Sequence, residues 1–213
     1  MGIRSICLRK VTHQYKQRIV IQVKKTFYIM RHGQTLFNVR RKIQGFSDSP
    51  LTELGIRQAK IASDYLSGVT FDHAYSSTSE RCCDTLEIVT GNSMPYTRLK
   101  GLKEMNFGTF EGESEDLNPK DKVVFGTFFV AYGGESRDEV RERMVRTCTE
   151  IMEKDDHNVV LAVSHAGACL HFLSHWQDTT EEREKGWPNC TIFKYEYEDK
   201  VFRLLEIFRP ELK

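Results

Sequence analysis

The sequence predicts an α/β protein, a sheet with helices packed on it. Two observations carry this. Short apolar runs rich in Val, Ile, Phe and Tyr alternate with longer amphipathic stretches that begin and end on capping residues. The chain, at 213 residues, is long enough for one domain with a sizeable core, and it has no internal repeat or low-complexity tract.

The elements follow in order. Phe27–Met30 reads as a buried strand that runs into Arg31-His32-Gly33. Thr52 is placed as an N-cap, with Pro50 before it, for a helix to about Leu66 whose apolar positions are Leu54, Ala59, Ala62 and Leu66. Phe71–Tyr75 is a second strand. Ser79–Val89 is a helix stopped by Gly91-Asn92, and Tyr96–Leu99 is a third strand. Residues 104–135 are irregular, punctuated by Gly108, Gly112, Pro119, Gly126, Gly133 and Gly134, around the apolar runs Val123-Val124-Phe125 and Phe128-Phe129-Val130. Asp138–Lys154 is a charged amphipathic helix, Asn158–Ser164 an apolar strand and Ala166–Trp176 a further helix. Thr191–Tyr197 and Val201–Phe208, flanking Glu198-Asp199-Lys200, make a hairpin at a sheet edge.

Composition narrows the partners. The formal net charge is +1, and no run approaches the ~20 apolar residues of a membrane span, so neither nucleic acid nor membrane is expected as a partner. Charge is nonetheless uneven: residues 1–25 hold Arg4, Arg9, Lys10, Lys16, Arg18, Lys24 and Lys25 and no acid. Such a stretch fits an organellar targeting segment, a phosphate-binding arm or an extension unrelated to the fold. The last is favoured because helical amphipathicity is missing, so the domain is expected over 26–213. Six cysteines, Cys7, Cys82, Cys83, Cys148, Cys169 and Cys190, form no C-x-x-C pair and suit buried thiols in a reduced, cytoplasmic protein. His171 and His175 are spaced i, i+4, but no nearby acid or cysteine completes a metal set, so packing or surface roles are expected.

Three strand ends carry chemistry: Arg31-His32-Gly33, then Ser76-Ser77 leading to Arg81 and Thr85, then Ser164-His165-Ala166-Gly167. Ligands of open α/β sheets bind beyond the carboxyl ends of the strands, so these ends can converge there. Two arginines and two histidines would then surround one anion.

Taken together, Met30-Arg31-His32-Gly33-Gln34-Thr35 with Asn38, Gln44-Gly45 through Thr52-Glu53-Leu54-Gly55, Tyr75-Ser76-Ser77 with Arg81 and Thr85, Leu102 through Gly108 with Glu111-Gly112, and Val163 through Gly167 resemble the histidine phosphatase superfamily, the phosphoglycerate-mutase-like proteins. The match is ordered from about Thr26 to Phe208. The resemblance implies a three-layer sandwich with a mostly parallel central sheet and helices on both faces. It also implies a mechanism: His32 takes the phosphoryl group as phosphohistidine, Arg31 and Arg81 grip its oxygens, and His165 donates to an equatorial oxygen. Glu104 moves the proton to the leaving group and from the water. Asn38, Gln44, Gly45, Ala166 and Gly167 would line the substrate mouth, with the backbone N–H groups at Gly167 adding anion donors. Positioning and charge suffice for this chemistry, so no metal and no cofactor are expected.

Glu104 and His165 stand 61 positions apart, which is short for the mutases of that family, and Gly134-Glu135-Ser136 resembles its phosphatase branch. Hydrolysis of a small-molecule phosphate ester is therefore expected. Mutase-type transfer, or a catalytically weak phosphate-binding protein, is the alternative. Residues of about 105–135 form the expected lid, where Phe125, Phe128, Phe129 and Tyr132 either bury an apolar leaving group or anchor the lid. Oligomeric state stays open, a homo-oligomer included.

Overall fold

A computed structural model describes residues 24–211, so most of the basic segment 1–25, and Cys7 with it, lies outside the described residues. Its last two residues belong to the domain. Lys25 opens β1 (Lys25–Arg31), and its ammonium donates to the carbonyls of Met152 and Lys154, while Lys24 pairs with Glu196. The expected boundary at 26 therefore moves back.

The remaining strands are β2 (His73–Ser77), β3 (Tyr96–Leu99), β4 (Val159–Ser164), β5 (Ile192–Glu198) and β6 (Val201–Phe208). Their spatial order is β3-β2-β4-β1-β5-β6. The first four of these run parallel, β5 runs antiparallel to them, and β6, antiparallel to β5, returns to their direction. The hairpin turn Asp199-Lys200 has both residues at positive φ (52° and 64°), the two-residue geometry that matches strand twist.

The helices are α1 (Leu36–Val39), α2 (Glu53–Leu66), α3 (Glu80–Thr90), α4 (Lys122–Phe125), α5 (Arg137–Met152), α6 (Ala166–Trp176) and α7 (Thr180–Lys185). Along β4 the strand alternation splits the core. Val160 and Ala162 pack in one cluster with α5 and α6, and Leu161 and Val163 in the other with α2 and α3. The result is the expected three-layer α/β sandwich.

Several boundaries differ from expectation by one to two residues, and at two of them the physical reason is plain. Strand β2 starts at His73 rather than Phe71. Asp72 accepts the backbone N–H of Asn158 and Val159, and the half-buried Phe71 is covered by packing edge-on against Tyr28 and not by pairing. Helix α5 starts one residue early because Ser136 and Glu139 form a reciprocal capping box. Helices α1 and α7 carry no apolar periodicity and were not expected.

The irregular segment is built of short helical turns stapled by aromatics. Phe129 is fully buried, and Phe107, Phe110, Phe125 and Phe128 pack around it with ring centroids 4.8–5.6 Å away, Tyr132 closing on Phe110. Of the two roles open to Phe125, Phe128, Phe129 and Tyr132, anchoring is the one observed: none of the four lines the cavity described next.

Candidate active site

The carboxyl ends of β1, β2 and β4 lie side by side, with Arg31 opposite Ser164 and Ser76 opposite Val163. Beyond them is a cavity of about 160 Å3 lined by Arg31, His32, Asn38, Gln44, Glu104 and Ala166. Lys42, Ile43, Phe107, Glu115 and Asn118 complete its wall.

His32 is buried, and its Nδ1 lies 2.7 Å from the carbonyl of Gly33. A carbonyl only accepts, so Nδ1 carries the ring proton and Nε2 keeps its lone pair. Burial first, then the charges of Arg81 and Arg31, hold this imidazole well below its ordinary pKa of 6.5. The ring is thus neutral at neutral pH, with the Nε2 lone pair uncommitted. Arg31 donates through one terminal nitrogen to the carbonyl of Trp187 at 2.5 Å, while its Nε–H is buried and has no partner. Such a donor has the geometry to meet an oxyanion.

Asn38 accepts through Oδ1 from the backbone of Thr35 and from Asn189 Nδ2 (3.1 and 3.2 Å), which leaves its amide NH2 as the cavity-facing polar group. Gln44 spends its amide on Thr35 and Ser49. Gly45 does permit close approach: a Cβ there would stand 2.1 Å from the carbonyl of Met105.

Glu104 is held by three backbone donors, Met105 N, Gly167 N and Ala168 N, each at 2.9 Å. This corrects the expectation that Gly167 offers its N–H to substrate, because the anion these helix-start donors hold is Glu104 itself. A Cβ on Gly167 would lie 2.6 Å from Glu104 Oε1. Gly167→Ala is therefore expected to displace Glu104 and slow hydrolysis of alkyl phosphates about 100-fold, an effect in the range of one misplaced general acid. Aryl phosphates, whose leaving groups need no proton, should lose far less; equal losses on both would show that Glu104 is not the group affected.

Arg81 and His165, the other two residues expected to hold the phosphoryl oxygens, are fully buried beside this cavity, against Gly45 and His32. The fully buried Arg81 donates to the carbonyls of Ser47 (2.8 Å) and Gly45 (2.9 Å), to Asp48 Oδ1 (2.9 Å) and to His165 Nδ1 (2.8 Å). Only its buried Nε–H has no partner. Because Nδ1 of His165 accepts from a guanidinium, Nε2 carries the proton and gives it to Ser77 Oγ at 2.8 Å. His165 thus buttresses Arg81 and stands edge-on to His32, ring centroids 5.3 Å apart.

Sequence reasoning missed the groups that fix this frame. The Glu111 carboxylate collects the N–H groups of Gly45, Phe46, Ser47 and Phe107 and the hydroxyl of Ser47. Arg143 grips Glu135 and the carbonyls of Gly101, Lys103 and Glu104. Asn189 ties the His32 carbonyl to Asn38. Glu111-Gly112 and Gly134-Glu135-Ser136 were visible in the sequence, but their long-range partners were not.

Three of the four buried histidines among the described residues lie on or near the site and set a pH dependence. His32 and His165 are held well below 6.5, and His171 is lowered to about 4, all mainly by burial. Below pH 6.5 the unfolded chain takes up protons that these rings refuse in the fold, so stability falls as pH falls. For His171 the loss runs from about pH 6.5 down to about 4. Urea midpoints measured from pH 7.5 to 5 should drop steadily; a flat profile would contradict neutral burial. His171 is buried on α6, consistent with the packing role expected for it.

The family model for the histidine phosphatase superfamily, branch 1, matches residues 27–209. The chain belongs to this superfamily. Among curated proteins it is 32% identical over 182 residues to the probable phosphoglycerate mutase GpmB of Yersinia pestis strain Pestoides F, covering 81% of this chain and 85% of that one. Among solved structures it resembles Bacillus stearothermophilus YhfR at 29% identity and TM-score 0.72, covering 84% and 94% of the two chains. It also resembles the phosphoglycerate mutase of Bacillus anthracis at 25% identity and TM-score 0.75, covering 86% and 92%. This histidine phosphatase superfamily chain is accordingly an enzyme acting on phosphoryl groups. The described residues contain no helix long and apolar enough to cross a membrane, and the five described cysteines are free and buried.

Proposed function

We propose that this enzyme hydrolyses small phosphate monoesters through a phosphohistidine on His32. The observation that carries the reading is one cavity holding a buried imidazole with an unprotonated Nε2, an Arg31 whose buried Nε–H is unspent, and the Glu104 carboxyl group. His32 attacks phosphorus as the ester oxygen leaves. Glu104, entering this step as the carboxylic acid, gives its proton to that oxygen and becomes the carboxylate; the carboxylate then takes a proton from the water that attacks the phosphohistidine, so the His32–phosphorus bond breaks, the acid is regenerated and inorganic phosphate departs. Arg31 and the Asn38 amide offset the charge on the equatorial oxygens. Water as the acceptor is supported by the mouth, where the half-exposed polar side chains of Lys42, Glu115 and Asn118 give solvent a path to the phosphorus.

A mutase reading has its own support in the probable phosphoglycerate mutases at 32% identity. The deciding experiment follows inorganic phosphate release from a panel of phosphate monoesters in EDTA, beside interconversion of 2- and 3-phosphoglycerate with and without 2,3-bisphosphoglycerate. Phosphate release dominating is the expected result. Interconversion faster than release would make the enzyme a mutase, and loss of all turnover in EDTA would overturn the metal-independent mechanism.

A further inference from the structure

We propose that His73, Asp156 and His157 form a binding site for a divalent transition metal of the zinc and nickel class, at the end of the sheet opposite the active site. His73 is the first residue of β2, and Asp156 and His157 lead into β4, its neighbour in the sheet. The catalytic ends of these strands are a full strand length away, roughly 17 Å at ~3.3 Å per residue.

The geometry points to an ion because three donor atoms of the right kinds converge from two distant parts of the chain. His73 Nε2 lies 3.0 Å from Asp156 Oδ2, and His157 Nδ1 lies 2.7 Å from Asp156 Oδ1. All three ligand atoms lie within 4.8 Å of one another, and this trio alone meets that condition among the described residues. The two imidazoles stack at 3.7 Å with their planes 13° apart, so the half-exposed His73 ring has to tilt out of the stack for its lone pair to meet that of His157 at one ion. Two imidazoles and a carboxylate are a donor set suited to zinc, nickel or copper, with solvent free to complete the coordination.

The surroundings divide the labour. His157 is buried, and its Nε2 stands 2.6 Å from Tyr75 Oη, which also receives Lys154 Nζ at 2.8 Å. When an ion takes Nδ1, the ring proton resides on Nε2 and is donated to Tyr75, the orienting contact that metal-binding histidines keep. His73 and Asp156 are exposed enough to turn the remaining distance toward an ion at ~2.0–2.2 Å from each ligand. The ion would replace the shared hydrogen bonds with bonds of its own and tie together chain segments that are 83 positions apart, the reason binding should appear as stability.

The test uses the full chain, stripped with EDTA and dialysed, then titrated with zinc sulfate by calorimetry and thermal melting. One Zn2+ per chain is expected, with Tm raised about 5 °C at saturating metal. His73→Ala and Asp156→Asn change one half-exposed and one exposed side chain, both far from the active site, so both should fold and keep basal turnover while binding zinc at least ~10-fold more weakly and losing the Tm shift. Absence of saturable zinc binding in the wild type would overturn the site. So would a Tm shift that persists unchanged in both variants, because the metal would then sit elsewhere, for instance on the active-site histidines.

Discussion

Replacing His32 with Ala is expected to lower kcat by about 10^5-fold or more, the scale seen when a covalent nucleophile is deleted. The expectation rests on what surrounds the ring. Its Nδ1–H is committed to the Gly33 carbonyl, so the only free nucleophilic lone pair is Nε2. Burial and two nearby guanidinium groups keep that lone pair unprotonated. Glu104, the other anionic candidate beside it, has both oxygens tied to backbone N–H groups and cannot readily take over as nucleophile. The substitution should leave the fold standing, because the His32 side chain donates only to its own chain neighbour and its backbone is held by Ser164, Cys190 and Asn189. Brief incubation with a 32P-labelled ester, followed by denaturation in alkali, should trap acid-labile label on the wild type and none on the variant. A Tm near wild type with less than a tenfold loss of turnover would eliminate phosphohistidine as the intermediate. A wild type that turns over no phosphate ester at all would leave only a phosphate-binding protein on this fold.

How much of this was legible in the sequence depended on how local the signal was. Thr52 announced α2 because an N-cap hydroxyl satisfies the N–H of Gly55 three residues on, and Gly91 closed α3 because its φ of 58° is one that glycine adopts freely. Strand β4 was legible because its residues are buried on both faces, which makes an unbroken apolar run. Strand β2 was harder, since Ser76 and Ser77 are fully buried yet polar, and nothing local distinguishes a buried serine at a strand end from a loop. The site shows the same division. His32, Glu104 and Asn38 were legible and do share one cavity. The orientation of Arg81 was not, because its partners, Gly45, Ser47, Asp48 and His165, lie 33 to 84 positions away. Equally hidden were Glu111 and Asn189, ordinary residues whose importance lies in the backbone groups that the fold brings to them.

Arg81 carries the other large expected effect, and its placement makes the effect twofold. Arg81→Ala removes four hydrogen bonds from the interior, leaving the carbonyls of Gly45 and Ser47 and the ring of His165 without their donor. Asp48 is about a third exposed, so water can take over part of its charge, and the loss of stability should be about 3 kcal/mol, below the upper range for a wholly buried pair. Activity should fall about 10^3-fold, since the positive charge beside His32 disappears and the wall formed by residues 45–48 loosens together with His165. Arg81→Lys restores the charge but not the planar fork that reaches two carbonyls, a carboxylate and an imidazole at once, so it should recover less than a tenth of the lost rate. Asp48→Ala separates the two roles. It keeps the guanidinium and its three other partners, and it should cost stability while leaving kcat within about tenfold of wild type. If Asp48→Ala slowed turnover as much as Arg81→Ala, the ion pair and not the guanidinium charge would be what the reaction needs. If Arg81→Ala left turnover intact, the charge placed behind His32 would be structural alone, and stabilisation of the transferred phosphoryl group would rest on Arg31.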